Sequence, residues 1–150
     1  MSVYFPMFIN LENKRVLVVG AGNIATRRIK ALIRFNAKVK VVAQLFSPDM
    51  KEIGEKFDID MINRGFIPED LDDIDIAVIA TDNTTLNDEI SEMCAERGIM
   101  KNVASDQTKC DFLFPAIVLT DEAVIAINTG GKSPATSKRI KEQIQKLLKK

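Results

Sequence analysis

The sequence predicts an α/β protein that begins with a doubly wound parallel sheet and ends with a β-hairpin and a helix. Two observations carry this prediction. Up to about residue 110, short β-branched runs alternate with longer amphipathic segments, which is typical of parallel strands joined by helices. After that point two apolar runs follow each other with only residues 120–122 between them, which indicates an antiparallel pair.

Five strands are predicted in the first part. Each is a short run rich in Val and Ile, as buried parallel strands are. The runs RVLVV and IDIAVIA are the strongest, and the third strand is the weakest. The predicted strands are 15–19, 38–42, 58–62, 74–80 and 99–103.

Three helices are predicted between these strands. The first spans 23–35 and places its apolar residues on one face. The second begins after Ser47, an N-cap residue followed by Pro48 at the first helical position. The third begins at Asn83 or Thr84 and ends before Gly98, because glycine favours the left-handed conformation that ends many helices.

The second part contains predicted strands 112–119 and 123–128, a glycine-rich loop 129–134 and an amphipathic helix. A lone hairpin and helix bury little surface, so this apolar segment must pack on the sheet or on a second copy of the chain. We favour the second copy and therefore a homodimer. The expected organisation is a nucleotide-binding domain over 1–111 and a dimerisation region over 112–150.

Composition excludes several kinds of chemistry. The 150 residues include no His, so neither a Ser-His-Asp triad nor the usual His metal site is present, and no metal site is predicted. The two Cys form no CxxC motif, which favours a reduced, cytoplasmic protein. No apolar run has the length of a membrane span, and no secretory leader is visible.

The formal net charge of zero hides a block pattern. The balance is +7 over residues 1–48, −12 over 49–96, −1 over 97–131 and +6 over 132–150. The blocks are either solvated helix faces or two basic segments that meet around an anionic ligand, and both interpretations stay open. Nucleic acid is not an expected partner, because there is no basic excess and no aromatic interleaving.

A GxGxxA motif connects the first strand to the first helix. Gly20 permits the tight turn, Gly22 lets a pyrophosphate approach the backbone, and Ala25 lets the helix pack on the strand. The free N–H groups and the dipole of the helix N-terminus then bind the phosphates. This context indicates a Rossmann-like dinucleotide site; the alternative is a tight turn without a ligand.

The end of the second strand bears on cofactor choice. NAD sites usually carry Asp or Glu there, whereas this chain has Gln44, which can bond a ribose without a charge. No Arg or Lys is present there to hold a 2′-phosphate. NAD is therefore preferred over NADP.

Three further segments are candidates for chemistry, and each also has a purely structural interpretation. Thr81 and Asp82 follow the fourth strand, where ligands of open α/β sheets bind; the alternative is a helix cap. Residues 102–106 follow the fifth strand, and a carboxylate there could accept a proton; the alternative is an Asx turn. Loop 129–134 suits an anion; the alternative is a turn that starts a helix.

Taken together, these segments resemble the precorrin-2 dehydrogenase family, which also forms the N-terminal module of siroheme synthase. The resemblance covers nearly the whole chain and depends on the order and spacing of its segments. They are the opening 4–11, the GxGxxA entry, the turn Ala80-Thr81-Asp82, the crossover Asn102-Val103 with 110–118, and the loop 129–134.

The resemblance implies an activity and a set of binding residues. Family members transfer a hydride from precorrin-2 to NAD⁺, giving sirohydrochlorin, and some also insert ferrous iron. They are homodimers. The implied NAD contacts are Asn23, Ile24, Gln44 and Leu45, which join the cofactor-binding candidates found above, Gly20, Gly22, Thr81 and Asp82. The expected tetrapyrrole contacts are Asn102, Gly130, Gly131, Lys132 and Ser133.

The chain departs from the family at the catalytic position. The family's proposed aspartate falls on Ser105, and Asp106 is its neighbour. Either Asp106 substitutes for it, or positioning of the substrate against the nicotinamide suffices; both residues are therefore catalytic candidates. The alternative function is a non-enzymatic module that senses NAD or NADH. A third hypothesis is a ferrochelatase or tetrapyrrole carrier that has lost the oxidation.

Overall fold

A computed structural model describes residues 4–131 and 133–149, and the chain divides into two compact units. One unit is Phe8–Phe112. The other combines residues 4–7 with the segment from 113 onward. The domain boundary expected between residues 111 and 112 stays a prediction. Lys132, an expected substrate contact, lies outside the described residues.

The first unit is built on a five-stranded parallel sheet, which confirms the predicted fold class. Its strands lie in the order β3-β2-β1-β4-β5, so the chain reverses its direction of travel across the sheet between β1 and β4. That reversal is the position at which nucleotide-binding sheets open a crevice. The strands are β1 (Arg15–Val19), β2 (Lys38–Ala43), β3 (Asp60–Asn63), β4 (Ile76–Ile79) and β5 (Met100–Val103).

The helices of this unit follow their predicted start signals. They are α1 (Asn23–Ile33), α2 (Pro48–Lys56) and α3 (Thr84–Glu96). Ser47 caps α2, and Asn83, rather than Asp82, caps α3. The first helix ends earlier than predicted, because Phe35 and Asn36 donate to the carbonyl oxygens three residues back rather than four, and Asn36 then turns the chain with a left-handed φ of 59°. Two short 3₁₀ turns, Pro68–Leu71 and Gln107–Lys109, were not predicted, since such turns are too short to show periodicity.

The core lies on both faces of the sheet. Val16, Leu17, Val18 and Val19 of β1 are all buried, so alternate side chains are covered on each face. On one face, Ile90 and Cys94 of α3 join the cluster around β1 and β4. Burial raises the pKa of the Cys94 thiol to about 11. Cys94 is therefore a packing residue.

A buried carboxylate ties the β3 end of the sheet together. Asp70 is 1% exposed. Its two oxygens accept hydrogen bonds from Arg64 at 2.7 and 2.8 Å and from the N–H of Ile67 at 3.0 Å, and Lys40 lies 3.4 Å away. Burial alone would raise the pKa of Asp70, but these bonds and charges outweigh it and lower the pKa. The carboxylate is therefore ionised and clamps the Pro68–Leu71 turn to β2 and β3.

We expect Asp70→Asn to lower the free energy of unfolding by about 3 kcal/mol, because it breaks a buried ion pair. The matched control is Asp72→Asn, which removes an exposed pair with Arg97 and costs below about 1 kcal/mol. Urea unfolding measures both. Because the folded-state pKa of Asp70 is depressed, its contribution is present above roughly pH 4 and is lost as the pH falls further. Equal effects of the two variants would contradict this account.

The second unit contains the predicted hairpin and helix. Strands β6 (Ala116–Leu119) and β7 (Val124–Ile127) pair antiparallel, and α4 (Pro134–Leu148) packs on them. The first strand starts four residues later than predicted, directly after Pro115, which has no N–H to pair with a neighbouring strand. Ser133 caps α4 as its position indicates. Within the described residues, no helix has the length and apolarity needed to cross a membrane.

Candidate functional site

The carboxyl ends of β1 and β4 meet at the point where the strand order reverses. Gly20 follows β1 with a φ of 104°, a conformation that L side chains rarely adopt. A Cβ built on Gly20 would lie 2.2 Å from the carbonyl oxygen of Ala80, which follows β4. The backbone therefore passes too close to β4 for any residue other than glycine. The motif's first glycine thus brings the GxGxxA turn beside Thr81 and Asp82.

The N-terminus of α1 is open to a ligand. Its N-cap residue is Gly22, no side chain caps it, and its first turn holds no acidic residue. By contrast, the other α-helices in the described part of the chain are capped by Ser47, Asn83 and Ser133. Apart from Gly22 and its two chain neighbours, no atom of the described residues lies within 4 Å of the place a Gly22 Cβ would take. Free N–H groups and open space together fit the pyrophosphate of a dinucleotide.

The segment that follows β2 is held beside this turn. The N–H of Ser47 donates to the carbonyl oxygen of Ala21 at 3.2 Å. From the other side, the Asn63 side-chain amide donates to the carbonyl oxygens of Ala43 at 3.2 Å and Gln44 at 2.7 Å. Gln44 is exposed and Leu45 is 85% exposed. The two residues that the resemblance assigns to the ribose region therefore project from a fixed backbone.

Asn63 and Asn87 form hydrogen bonds that hold the strand ends at this edge in place. Neither residue was predicted from the sequence to have this role. Asn87, on α3, is fully buried. Its amide nitrogen donates to the carbonyl oxygen of Thr81 at 3.0 Å and to the Ser105 hydroxyl at 3.3 Å, and its oxygen accepts from the Thr81 hydroxyl. Asn87 thus joins the ends of β4 and β5. The available signal was an amide on the apolar face of a helix, three residues before Ile90.

The two catalytic candidates differ in their surroundings. Asp106 caps the 3₁₀ turn that follows it, and its carboxylate accepts hydrogen bonds from the hydroxyl and the N–H of Thr108 at 2.6 and 2.9 Å. These bonds lower the pKa of Asp106, and the charge of Lys109 adds to the effect. Ser105 is exposed and bonded to Asn87. The geometry gives Asp106 the Asx-turn role that we left open, while the catalytic assignment of both residues stays a prediction.

The expected substrate contacts lie in two different units. Asn102, on β5, is 2% exposed and donates to the carbonyl oxygen of Phe112 at 2.7 Å, whereas its own amide oxygen is buried with no hydrogen-bond partner among the described residues. The glycine-rich loop belongs to the second unit. There Gly130 and Gly131 have positive φ, and Ser133 bonds to Thr136. Their role in binding a substrate remains a prediction.

The fold and this edge define a class of dinucleotide-binding protein, and comparison with known proteins agrees. Residues 7–116 match the NAD_binding_7 family, described as "Putative NAD(P)-binding". The chain is 39% identical to siroheme synthase of Baumannia cicadellinicola over 97% of its own length, and 33% identical to siroheme synthase 1 of Serratia proteamaculans over the same share. It spans about 31% of the length of these relatives.

A solved structure is matched over a larger share of its own length. SirC, precorrin-2 dehydrogenase, superposes with a TM-score of 0.79 and 31% identity, covering 95% of this chain and 70% of SirC. The chain therefore belongs to the NAD(P)-binding family that contains SirC and the siroheme synthases.

Alanine substitutions of the two motif glycines should have different effects: one should weaken NAD⁺ binding and the other should destabilise the fold. Gly22→Ala should leave the free energy of unfolding within about 0.5 kcal/mol of wild type, because the added methyl meets open space and the φ of −83° is ordinary. It should weaken NAD⁺ binding about tenfold, because the methyl occupies the path of the pyrophosphate. Gly20→Ala should instead destabilise the fold by at least about 2 kcal/mol.

Calorimetric titration with NAD⁺ and thermal unfolding separate the two effects. If the Gly22→Ala variant folds and binds NAD⁺ with wild-type affinity, the proposed phosphate site is wrong.

Proposed function

We propose that this chain is an NAD-dependent dehydrogenase that oxidises precorrin-2 to sirohydrochlorin. The observation that carries the proposal is the likeness to SirC, which extends over 95% of the chain and so includes both units. A likeness limited to the nucleotide-binding unit would support only a dinucleotide site. Other activities of the longer siroheme synthases are not assigned to this chain.

The reaction removes a hydride and a proton from the substrate. When bound, NAD⁺ supplies the hydride acceptor. The N–H groups at the start of α1, around Gly22, Asn23 and Ile24, would hold its pyrophosphate. Gln44 and Leu45 would bind the ribose region, and Thr81 and Asp82 would line the crevice between β1 and β4.

Positioning of the substrate is the main contribution we assign to the protein. Asp106 is ionised, and one of its two carboxylate oxygens, Oδ1, accepts both hydrogen bonds from Thr108. Ser105 has no carboxylate or imidazole among its hydrogen-bond partners in the described residues. The proton that accompanies the hydride goes either to Asp106 or to water, and the protein contributes by holding the ring against the cofactor. We assign the acidic arms of the tetrapyrrole to the glycine-rich loop, with Gly130, Gly131, Lys132 and Ser133 as the contacts.

An anaerobic assay tests this function directly. Purified protein, precorrin-2 and NAD⁺ should yield NADH and sirohydrochlorin in equal amounts, followed by their absorbance spectra. Omission of NAD⁺ is the control and should give no sirohydrochlorin. NAD⁺ binding without turnover would overturn the enzyme proposal and favour a module that senses NAD or NADH. Ferrous iron added to the same mixture tests ferrochelatase activity separately.

We also propose that the second unit forms a homodimer contact. It leaves large apolar side chains exposed on each of its elements. Leu119 and Val124, which pair across the hairpin, are 44% and 38% exposed. Leu147 and Leu148 of α4 and Phe5 of the N-terminal segment are also exposed. A concentration of exposed large apolar side chains is typical of association sites. A cytoplasmic location is part of the same proposal and is supported by two cysteines that are both unpaired.

Leu119→Lys should convert the dimer into a monomer, because it places a charge in the middle of the apolar hairpin surface. Glu122→Lys, in the adjacent exposed turn, changes the charge even more and should leave the dimer intact. Light scattering after size-exclusion chromatography gives the mass of each species. A Leu119→Lys variant that stays dimeric would contradict the assignment of the hairpin to the contact.

A further inference from the structure

Asn87 is a fully buried amide with all of its principal hydrogen-bonding directions used inside the protein. Its oxygen accepts from the Thr81 hydroxyl, and its nitrogen donates to the Thr81 carbonyl oxygen and the Ser105 hydroxyl. A buried polar group costs stability unless it is bonded in this way. Asn87 therefore constrains both residues that it contacts, and both lie beyond the carboxyl ends of their strands.

The direction of these bonds follows from chemistry. The Thr81 carbonyl oxygen can only accept, so the amide nitrogen of Asn87 must face it. The same nitrogen lies 3.3 Å from the Ser105 oxygen, so that oxygen is an acceptor. The hydroxyl hydrogen of Ser105 consequently points away from Asn87. In the part of the chain that the structure describes, no hydrogen bond uses that hydrogen, and Ser105 is exposed.

Thr81 cannot take the same role. Its hydroxyl hydrogen is directed at the Asn87 oxygen, and its oxygen accepts from the N–H of Asn83 at 3.2 Å. Unlike Thr81, Ser105 therefore has a hydroxyl hydrogen available to a ligand at this edge. A neutral hydroxyl without an adjacent base donates a hydrogen bond and does not remove protons. Its natural partner is an acceptor such as a carboxylate, which makes a short, charge-assisted bond.

We propose that Asn87 is a positioning residue that holds the Ser105 hydroxyl as a hydrogen-bond donor to a carboxylate arm of the tetrapyrrole substrate. This inference rests on the proposed function, because that function supplies a ligand rich in carboxylates. It assigns Ser105 to substrate binding at the position where the family places its aspartate. The cofactor offers a competing acceptor, the carbonyl oxygen of the nicotinamide amide, and the experiment separates the two.

The test measures binding of uroporphyrin, a polycarboxylate tetrapyrrole that gives no hydride to NAD⁺, by fluorescence quenching. Ser105→Ala should raise its dissociation constant about tenfold, the value of one bond to a charged group. Ser105→Thr keeps the hydroxyl and should restore binding. The dissociation constant of NAD⁺ should stay unchanged in both variants. A change for NAD⁺ alone would assign Ser105 to the cofactor and overturn the proposal.

Asn87 is tested through its coupling to Ser105. Asn87→Ala should weaken uroporphyrin binding by a similar factor, and the double variant should be no weaker than Ser105→Ala alone, because both changes remove the same bond. Asn87→Ser fills part of the cavity with a side chain too short to reach Ser105, and it replaces the alanine variant if that variant does not fold. Ser91→Ala, one turn further along α3 and also buried, is the matched control and should not affect binding.

The outcomes distinguish this inference from the proposed function. If precorrin-2 is not oxidised but the variants shift uroporphyrin binding as described, the enzyme proposal fails and the Asn87–Ser105 assignment stands. If the wild-type chain oxidises precorrin-2, Ser105→Ala should raise KM and leave kcat unchanged. Additive effects of the two substitutions, or a wild-type chain that does not bind uroporphyrin, would overturn the assignment.

Discussion

The nucleotide-binding unit depends on one close backbone approach, between Gly20 at the end of β1 and Ala80 at the end of β4. A parallel sheet that reverses its strand order leaves a crevice at this point, and helix α1 must start inside it. Only glycine permits the chain to turn there, since a Cβ on Gly20 would overlap the Ala80 carbonyl group. The direction in which the N–H groups of α1 point, and hence any phosphate site, follows from this contact.

The carboxyl edge of the sheet is prepared to donate hydrogen bonds. Two side-chain amides, the exposed Asn63 and the buried Asn87, take up its carbonyl oxygens: Asn63 bonds those of Ala43 and Gln44, and Asn87 bonds that of Thr81. Over the described residues, the donors that remain include the uncapped N–H groups of α1 and the hydroxyl of Ser105. An edge at which these backbone carbonyl oxygens are already bonded, while N–H and hydroxyl donors stay open, suits anionic ligands. A dinucleotide and a carboxylate-rich tetrapyrrole are both of that kind.

The same edge offers little acid–base chemistry. The chain has no histidine, and Asp106, the carboxylate that follows Ser105, has one of its two oxygens bonded to Thr108 in a turn. Hydride transfer to a dinucleotide needs a well-placed donor and acceptor more than it needs a protein base. A site made chiefly of backbone N–H groups, amides and hydroxyls is therefore compatible with a dehydrogenase.

The sequence by itself determined the doubly wound parallel fold class, the helix starts at Ser47 and Asn83, and the glycine turn. These features depend on local periodicity, capping and backbone conformation. It did not reveal the Asp70 clamp, the early end of α1 at Ile33 or the roles of Asn63 and Asn87. Asn87 reaches Ser105 across 18 positions and Asn63 reaches Gln44 across 19. Only the tertiary structure decided these contacts, because a buried amide finds its partners on whichever strand ends the folded sheet places beside it.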